Sequence, residues 1–189
     1  SALLSADDFY YTDSHWRQEK ILTVADKIAD KMGAERIGHC EKHDAGVSFY
    51  GVYYGQAALP HAPERLFYLD NAVIRGLKVY NAEESSDIPV YDLAAAAGRD
   101  PYEMFLGGVR SIIRITNPNA AKERRLIVFR DSFGSSIAPL LAAGYSEITL
   151  VDIRYITPSA LGRMIDFAKA DDALFLYSAS VINNSETIK

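Results

Sequence analysis

The clearest apolar patterning lies in the second half of the chain. Leu126-Ile127-Val128-Phe129 is an apolar run between the charged pairs Arg124-Arg125 and Arg130-Asp131, which is the pattern of a strand buried on both faces. The following segment, 133 to 143, reads as a helix that stops at Gly144. Residues 147 to 151 predict a second strand, 158 to 169 a second helix and 173 to 177 a third strand. This alternation predicts two consecutive βαβ units and a mostly parallel sheet. Ligands bind beyond the carboxyl ends of such strands, so Ser132, residues 152–155 and residues 178–184 are expected to converge on one sheet edge.

The first half is less regular. Ile21, Val24, Ala25, Ile28 and Met32 form one apolar stripe at helical spacing that closes at Gly33, so a helix is expected over 17–32. The tyrosine-rich stretch 47–55 fits either a strand or a glycine-broken loop, and its rings suit a core edge in preference to a sugar-stacking wall. Residues 65–69 and 73–80 are expected as strands paired outside the main sheet, with the polar 81–87 as a loop. Asp100-Pro101-Tyr102-Glu103 supplies an N-cap, a Pro at the first helical position and a Glu at the third, so a short helix should start there. There is no internal repeat and no low-complexity tract beyond Ala94 to Ala97.

Two segments carry candidate chemistry. Ser132 stands where the buried strand hands over to the helix, which directs its hydroxyl up from the sheet edge beside the N–H groups of the helix's first turn. The ordinary role of a serine there is to cap the helix. Far away in sequence, Asp13 precedes His15 by two residues. In an extended segment, positions i and i+2 face the same way, so the carboxylate can orient the imidazole and leave its other nitrogen free as a base.

Thr12-Asp13-Ser14-His15-Trp16 is similar to the D-H-H-W signature of the DHHW proteins and of the alginate O-acetyltransferase-like branch of SGNH hydrolases. Arg130-Asp131-Ser132-Phe133 resembles their serine block, and residues 145–155 resemble the Y-x-x-I-x-x-x-D-x-R-Y that follows it. The resemblance spans nearly the whole chain, including residues 100–108. It implies a single SGNH-like three-layer α/β/α domain over residues 1–189, with the motif order permuted so that the serine comes last. It also implies Ser132 as nucleophile, His15 as base and Asp13 as its orienter. Two positions depart from the pattern: Ser14 stands where D-H-H-W has its first histidine, and Arg130 where the hydrolases' G-D-S has glycine.

The function this implies is a serine-dependent O-acyl esterase or O-acetyltransferase acting on a bacterial cell-surface polysaccharide or glycan, or on a small acyl ester. Water as acceptor would make it an esterase and a sugar hydroxyl a transferase, a choice the residues leave open. An acetyl-donor membrane partner would accompany the transferase. The competing class is a glycan-binding or scaffold protein that keeps the fold without turnover. Arg154 and Tyr155 are candidate substrate-binding residues, although Arg154 equally fits a local ion pair; Trp16 is a third candidate, or a wall beside the dyad. Asn183 or Asn184 is a candidate oxyanion donor.

Composition narrows the rest. The 189 residues are 49% hydrophobic and 24% charged, which suits one domain with a substantial core. A net charge of -5 argues against a nucleic-acid partner. The single cysteine, Cys40, excludes an internal disulfide framework and decides no compartment. His39 and His43 have helical ligand spacing and could join Asp13 and His15, but their surroundings lack a helical pattern, so no metal is expected. No phosphate loop is present and no cofactor is expected. The chain opens at Ser1-Ala2, and the proteins it resembles carry a leader or anchor upstream, so an extracytoplasmic or membrane-anchored protein with a further N-terminal segment is expected.

Overall fold

The computed structural model describes residues 3–57 and 61–184. Eight strands form two sheets. β1 (Glu41–Phe49) and β2 (Glu64–Asp70) make an antiparallel pair of their own. The main sheet contains β3 (Lys78–Asn81), β4 (Ser86–Ile88), β5 (Ile112–Thr116), β6 (Arg125–Arg130), β7 (Glu147–Val151) and β8 (Asp172–Leu176), in the order β4-β3-β5-β7-β6-β8.

The sheet is mixed, which corrects the expectation of a mostly parallel one. β6 pairs in parallel with β7 and with β8, as the two βαβ units require. The pairs β3–β4, β3–β5 and β5–β7 are antiparallel. The connection from β5 to β6, residues 117–124, is shorter than the dozen or so residues that a parallel crossover needs, so β5 runs against β6 and β7.

Alternation along the central strands separates two apolar faces. Leu126 and Val128 of β6 join Ile113 and Ile115 of β5 and Ile148 and Leu150 of β7 in the larger cluster, under helix α1 (Leu22–Met32). Ile127, Ile112 and Val151 face the other way and are covered by Ile156, Leu161 and Ile165 around a later helix, α5 (Pro158–Met164). α1 ends at Gly33, whose φ of 63° is the left-handed conformation of a helix stop. Arg124 donates to the carbonyls of Met32 and Gly33 at 2.6 and 2.9 Å, so it secures that helix end rather than merely solvating a turn. α1 starts later than expected, because Gln18–Lys20 is a separate 3-10 turn.

Three other expectations shift for local reasons. Residues 73–80 are not one strand: Asn71 accepts the N–H of Ile74 at 2.9 Å and caps a helical turn, α3 (Ala72–Arg75), so the strand begins at Lys78 and enters the main sheet. The tyrosine-rich stretch divides at Gly51 into the end of β1 and the helix α2 (Val52–Ala57), leaving Tyr50, Tyr53 and Tyr54 exposed rather than at a core edge. The helix after Ser132 is α-helical only as α4 (Phe133–Ile137) and continues as a 3-10 helix over Ala138–Gly144, where Pro139 lacks the N–H an α-helix would use. The last helix is α6 (Ala179–Asn183). Among the described residues, no helix is long and apolar enough to cross a membrane.

Candidate active site

Ser132 lies two residues beyond β6 and immediately before α4. Its side chain makes no capping bond to the helix. Instead Oγ lies 2.7 Å from Nε2 of His15, which is 117 residues away in the sequence. The other ring nitrogen, Nδ1, is 2.5 Å from Oδ1 of Asp13. An ionised carboxylate only accepts, so Nδ1 carries the proton and Nε2 is left to accept from the serine hydroxyl.

The loop that carries Asp13 and His15 is held from several sides. Glu64, at the start of β2, accepts the N–H groups of Tyr11 and Thr12 and the Thr12 hydroxyl at 2.9 to 3.1 Å. Phe9 and Trp16 form an isolated antiparallel bridge, which keeps the intervening chain tight. Asp13 accepts the N–H of His15 on Oδ1 at 2.9 Å and that of Val52 on Oδ2 at 3.0 Å. The imidazole stacks on Tyr102 with ring centroids 4.0 Å apart and 15° between planes, and Phe133 lies on it at 5.1 Å. Below it, Ser136 accepts from the Trp16 indole at 2.7 Å and from the Tyr102 hydroxyl at 2.8 Å. Gln18, fully buried, donates to the Ser136 carbonyl at 2.6 Å and accepts the Leu69 N–H at 2.7 Å.

Burial by itself would raise the pKa of the Asp13 carboxyl, but the hydrogen bond and charge of His15, with the N–H groups of Val52 and His15, outweigh it and hold it below the usual value. A carboxyl whose pKa is depressed by folding adds stability above its unfolded pKa of about 4 and loses it as pH falls through the lower folded value. Urea midpoints between pH 7 and pH 2 should therefore fall more steeply below about pH 4 for the wild type than for Asp13→Asn. Parallel curves would mean that Asp13 carries no folding-linked charge. Desolvation pushes the Tyr102 hydroxyl well above the ordinary phenol range, which keeps it a donor to Ser136.

Other expected site residues sit differently. Trp16 is only 6% exposed and cannot present its ring to a ligand; its indole N–H needs an acceptor when buried and finds Ser136 in the core, so Trp16 is a wall and not a substrate contact. Arg154 grips Asp152 with two bonds, Nε to Oδ1 at 2.8 Å and Nη2 to Oδ2 at 2.6 Å. The Asp152 side chain is completely buried, so this ion pair answers a real desolvation cost. Arg154 also borders a cleft of about 510 Å³ with Tyr155, Ser180, Val181 and Asn184, and its guanidinium lies 5.3 Å from the Tyr155 ring centre. Tyr155 is half exposed there. Arg154→Lys, which loses the planar fork, is thus expected to lower stability by about 1–3 kcal/mol, checked by thermal or urea denaturation. An unchanged midpoint would show that Lys satisfies Asp152 equally well.

The first turn of α4 offers fewer free donors than its position suggests. Phe133 N–H is taken by Asp131 Oδ1 at 3.0 Å, Gly134 N–H by the Asp131 carbonyl at 3.1 Å and Ser135 N–H by the Ser132 carbonyl at 3.1 Å. Asn184 Nδ2 donates to the Ser180 carbonyl at 2.8 Å. The Ser132 N–H has no hydrogen-bond partner among the described residues. Asp131 holds the serine turn against the end of β8 by accepting the Ser178 N–H at 2.7 Å. No group of three or more His, Cys, Asp or Glu among the described residues is arranged to hold a metal; His43 lies on β1, where the helical spacing from His39 has no meaning.

Sequence patterning gave no sign of Tyr102, Gly51, Gln18 or Glu64 as site residues. The Asp100 cap, which accepts the Tyr102 N–H at 3.1 Å, was a signal for the turn that presents Tyr102 but not for what it presents it to.

The molecule is thus an α/β protein with a carboxylate, an imidazole and a serine hydroxyl in hydrogen-bond sequence at the carboxyl end of a parallel strand. The chain belongs to the DHHW family, whose model, described as DHHW protein, matches residues 5–151. In fold it is similar to a DHHW family protein from Eubacterium siraeum, with a TM-score of 0.72 and 19% identity over 95% of this chain and 62% of that one. It is also similar to Bacillus cereus PatB1 bearing a sulfonyl adduct, with a TM-score of 0.72 and 20% identity over 93% of this chain and 62% of that one. For PatB1 itself the TM-score is 0.68 at 19% identity, over 93% and 64% of the two chains. The chain therefore spans less than two thirds of the length of these solved relatives, and at such identities the likeness is one of fold. No curated protein matches it in sequence.

Proposed function

We propose that this protein is a serine-dependent acyl-transfer enzyme, an O-acetyl esterase or O-acetyltransferase acting on an extracytoplasmic polysaccharide or glycan. The observation that carries the proposal is the Asp13–His15–Ser132 hydrogen-bond chain, in which the serine hydroxyl faces the imidazole and caps no helix. A serine kept for folding would use its hydroxyl on the backbone of the following turn. Family membership and the likeness to PatB1, which has been observed with a sulfonyl adduct, support the same reading, since sulfonyl groups attach to activated nucleophiles. The SGNH-like three-layer arrangement with the serine last in sequence is the finer description of the fold that accompanies it.

His15 Nε2 accepts the hydroxyl proton as Ser132 Oγ attacks the ester carbonyl, and Asp13 stabilises the resulting imidazolium. The tetrahedral intermediate places its negative oxygen near the unpartnered Ser132 N–H. Collapse expels the alcohol, which takes the proton from His15, and leaves an acyl-serine. Water then regenerates the serine and releases a carboxylic acid, or a sugar hydroxyl accepts the acyl group. Arg154 and Tyr155, which border a cleft, would bind substrate, with Arg154 already anchored by Asp152. An acetyl-donor membrane partner belongs to the transferase version.

The test is acetate release from p-nitrophenyl acetate and from an acetylated oligosaccharide, together with mass-spectrometric mapping of a serine-directed phosphonate. Acetate release with the label on Ser132 is expected. A folded protein that takes no label and binds glycans without turnover would replace this proposal with a binding role.

A further inference from the structure

Arg130 occupies the position two residues before the candidate nucleophile and is 1% exposed. A buried guanidinium ordinarily lies against a carboxylate. Among the described residues, no carboxylate forms an ion pair with Arg130, and its Nε has no hydrogen-bond partner. Desolvation pushes its pKa down, Asp152 and Asp131 pull it up, and Arg154 opposes them. Asp152 is nevertheless committed to Arg154 by two bonds. What the Arg130 guanidinium touches instead is backbone and a hydroxyl: Nη1 donates to the Asp131 carbonyl at 3.3 Å and to Ser135 Oγ at 3.2 Å, and Nη2 to the Arg110 carbonyl at 3.3 Å.

The Asp131 carbonyl and the Ser132 N–H belong to one peptide unit. That carbonyl takes a second donor, the Gly134 N–H at 3.1 Å. Two donors on the oxygen of a peptide, one of them cationic, fix its plane and polarise it, which makes the N–H on the other side a stronger donor. That N–H is the one without a partner beside the Ser132 hydroxyl. Space for the arrangement is made by Gly134, where a Cβ would stand 2.6 Å from Cβ and 2.8 Å from Cγ of Arg130.

We propose that Arg130 is a positioning residue that fixes and polarises the Asp131–Ser132 peptide so that the Ser132 N–H donates to the oxyanion formed during acyl transfer. The proposal rests on the acyl-transfer reading above. It gives the arginine at this position a purpose in place of the carboxylate partner it lacks, and it makes the oxyanion donor depend on a side chain that never touches substrate.

Arg130→Met keeps the packing of the stem and removes every donor, while Arg130→Lys keeps a charge that cannot reach both carbonyls. With p-nitrophenyl acetate, both variants should lose about 10- to 100-fold in kcat, with KM held within about twofold. Affinity for phenylboronic acid, whose serine adduct is a tetrahedral anion, should fall by the same factor. A lowered melting temperature with unchanged kcat and unchanged boronate affinity would make Arg130 purely structural and overturn the proposal. If the variants do not fold, the wild type decides: the Ser132 amide proton, followed by NMR, should move downfield on forming the boronate adduct, and a stationary signal overturns the proposal. Phenylmethylsulfonyl fluoride separates the two levels. Wild type with no label on Ser132 sinks the acyl-transfer reading, whereas labelled wild type with unaffected Arg130 variants sinks only the role of Arg130.

Discussion

Ser132→Ala is expected to lower ester turnover by about 10⁴-fold or more while leaving the fold in place. The hydroxyl is the only group in the constellation that can form the acyl bond, and its one side-chain partner is His15 Nε2 at 2.7 Å. Because it caps no helix, its removal leaves no orphaned backbone donor, and the stability cost should not exceed about 1 kcal/mol. His15→Ala should lower turnover nearly as far, since hydroxyl and imidazole act as a unit. The double variant should be scarcely worse than either single one, whereas independent contributions would multiply. The measurement is kcat/KM on p-nitrophenyl acetate for all three proteins, each checked for folding by circular dichroism. Turnover retained in Ser132→Ala would mean that another residue carries the chemistry.

Gly51→Ala should have the largest effect on stability, about 2–4 kcal/mol, and should also disable the site. A Cβ at position 51 would lie 2.3 Å from the Asp13 Cβ and 2.3 Å from the Thr12 carbonyl oxygen. One of these atoms is backbone and the other is fixed directly to it, so no side-chain rotation relieves the clash. Either β1 and α2 move away from the 10–16 loop or the loop moves with Asp13. In the first case Asp13 loses the Val52 N–H bond, and Thr12 Oγ1 loses the Gly51 N–H that it accepts at 3.0 Å. In the second case the imidazole is carried off the serine. A lower urea midpoint together with slower phosphonate labelling of Ser132 is expected. Full labelling rate at reduced stability would show that the hairpin yields and the dyad does not.

These two experiments probe opposite ends of what is legible in the chain. The strand–serine–helix turn is a local pattern: β6 is apolar because it is buried on both faces, and an apolar strand followed by a small-residue helix fixes where Ser132 stands. The spacing of Asp13 and His15 is equally local, since side chains two apart in a tight extended segment share a side. The parallel pairing of β6 with β7 and β8 also follows from the alternation of apolar runs with helical ones.

The tertiary structure decided everything that depends on which distant segments meet. The antiparallel half of the sheet arises from short connections and from the Asn71 cap, whose consequence is visible only once the strands are paired. Trp16 stands next to His15 in sequence but is drawn into the core by an indole N–H that needs Ser136. Arg154 was balanced in the sequence between a ligand and an ion pair, and the complete burial of Asp152 commits it to the ion pair while its edge still borders a cleft. Tyr102 and Gly51 left no local trace because their roles are contacts across tens of residues, stacking on His15 in one case and the absence of a Cβ in the other. Residue type and local spacing specify where a reactive group sits along an element, but its neighbours are chosen by core packing and by the need of every buried donor and acceptor for a partner.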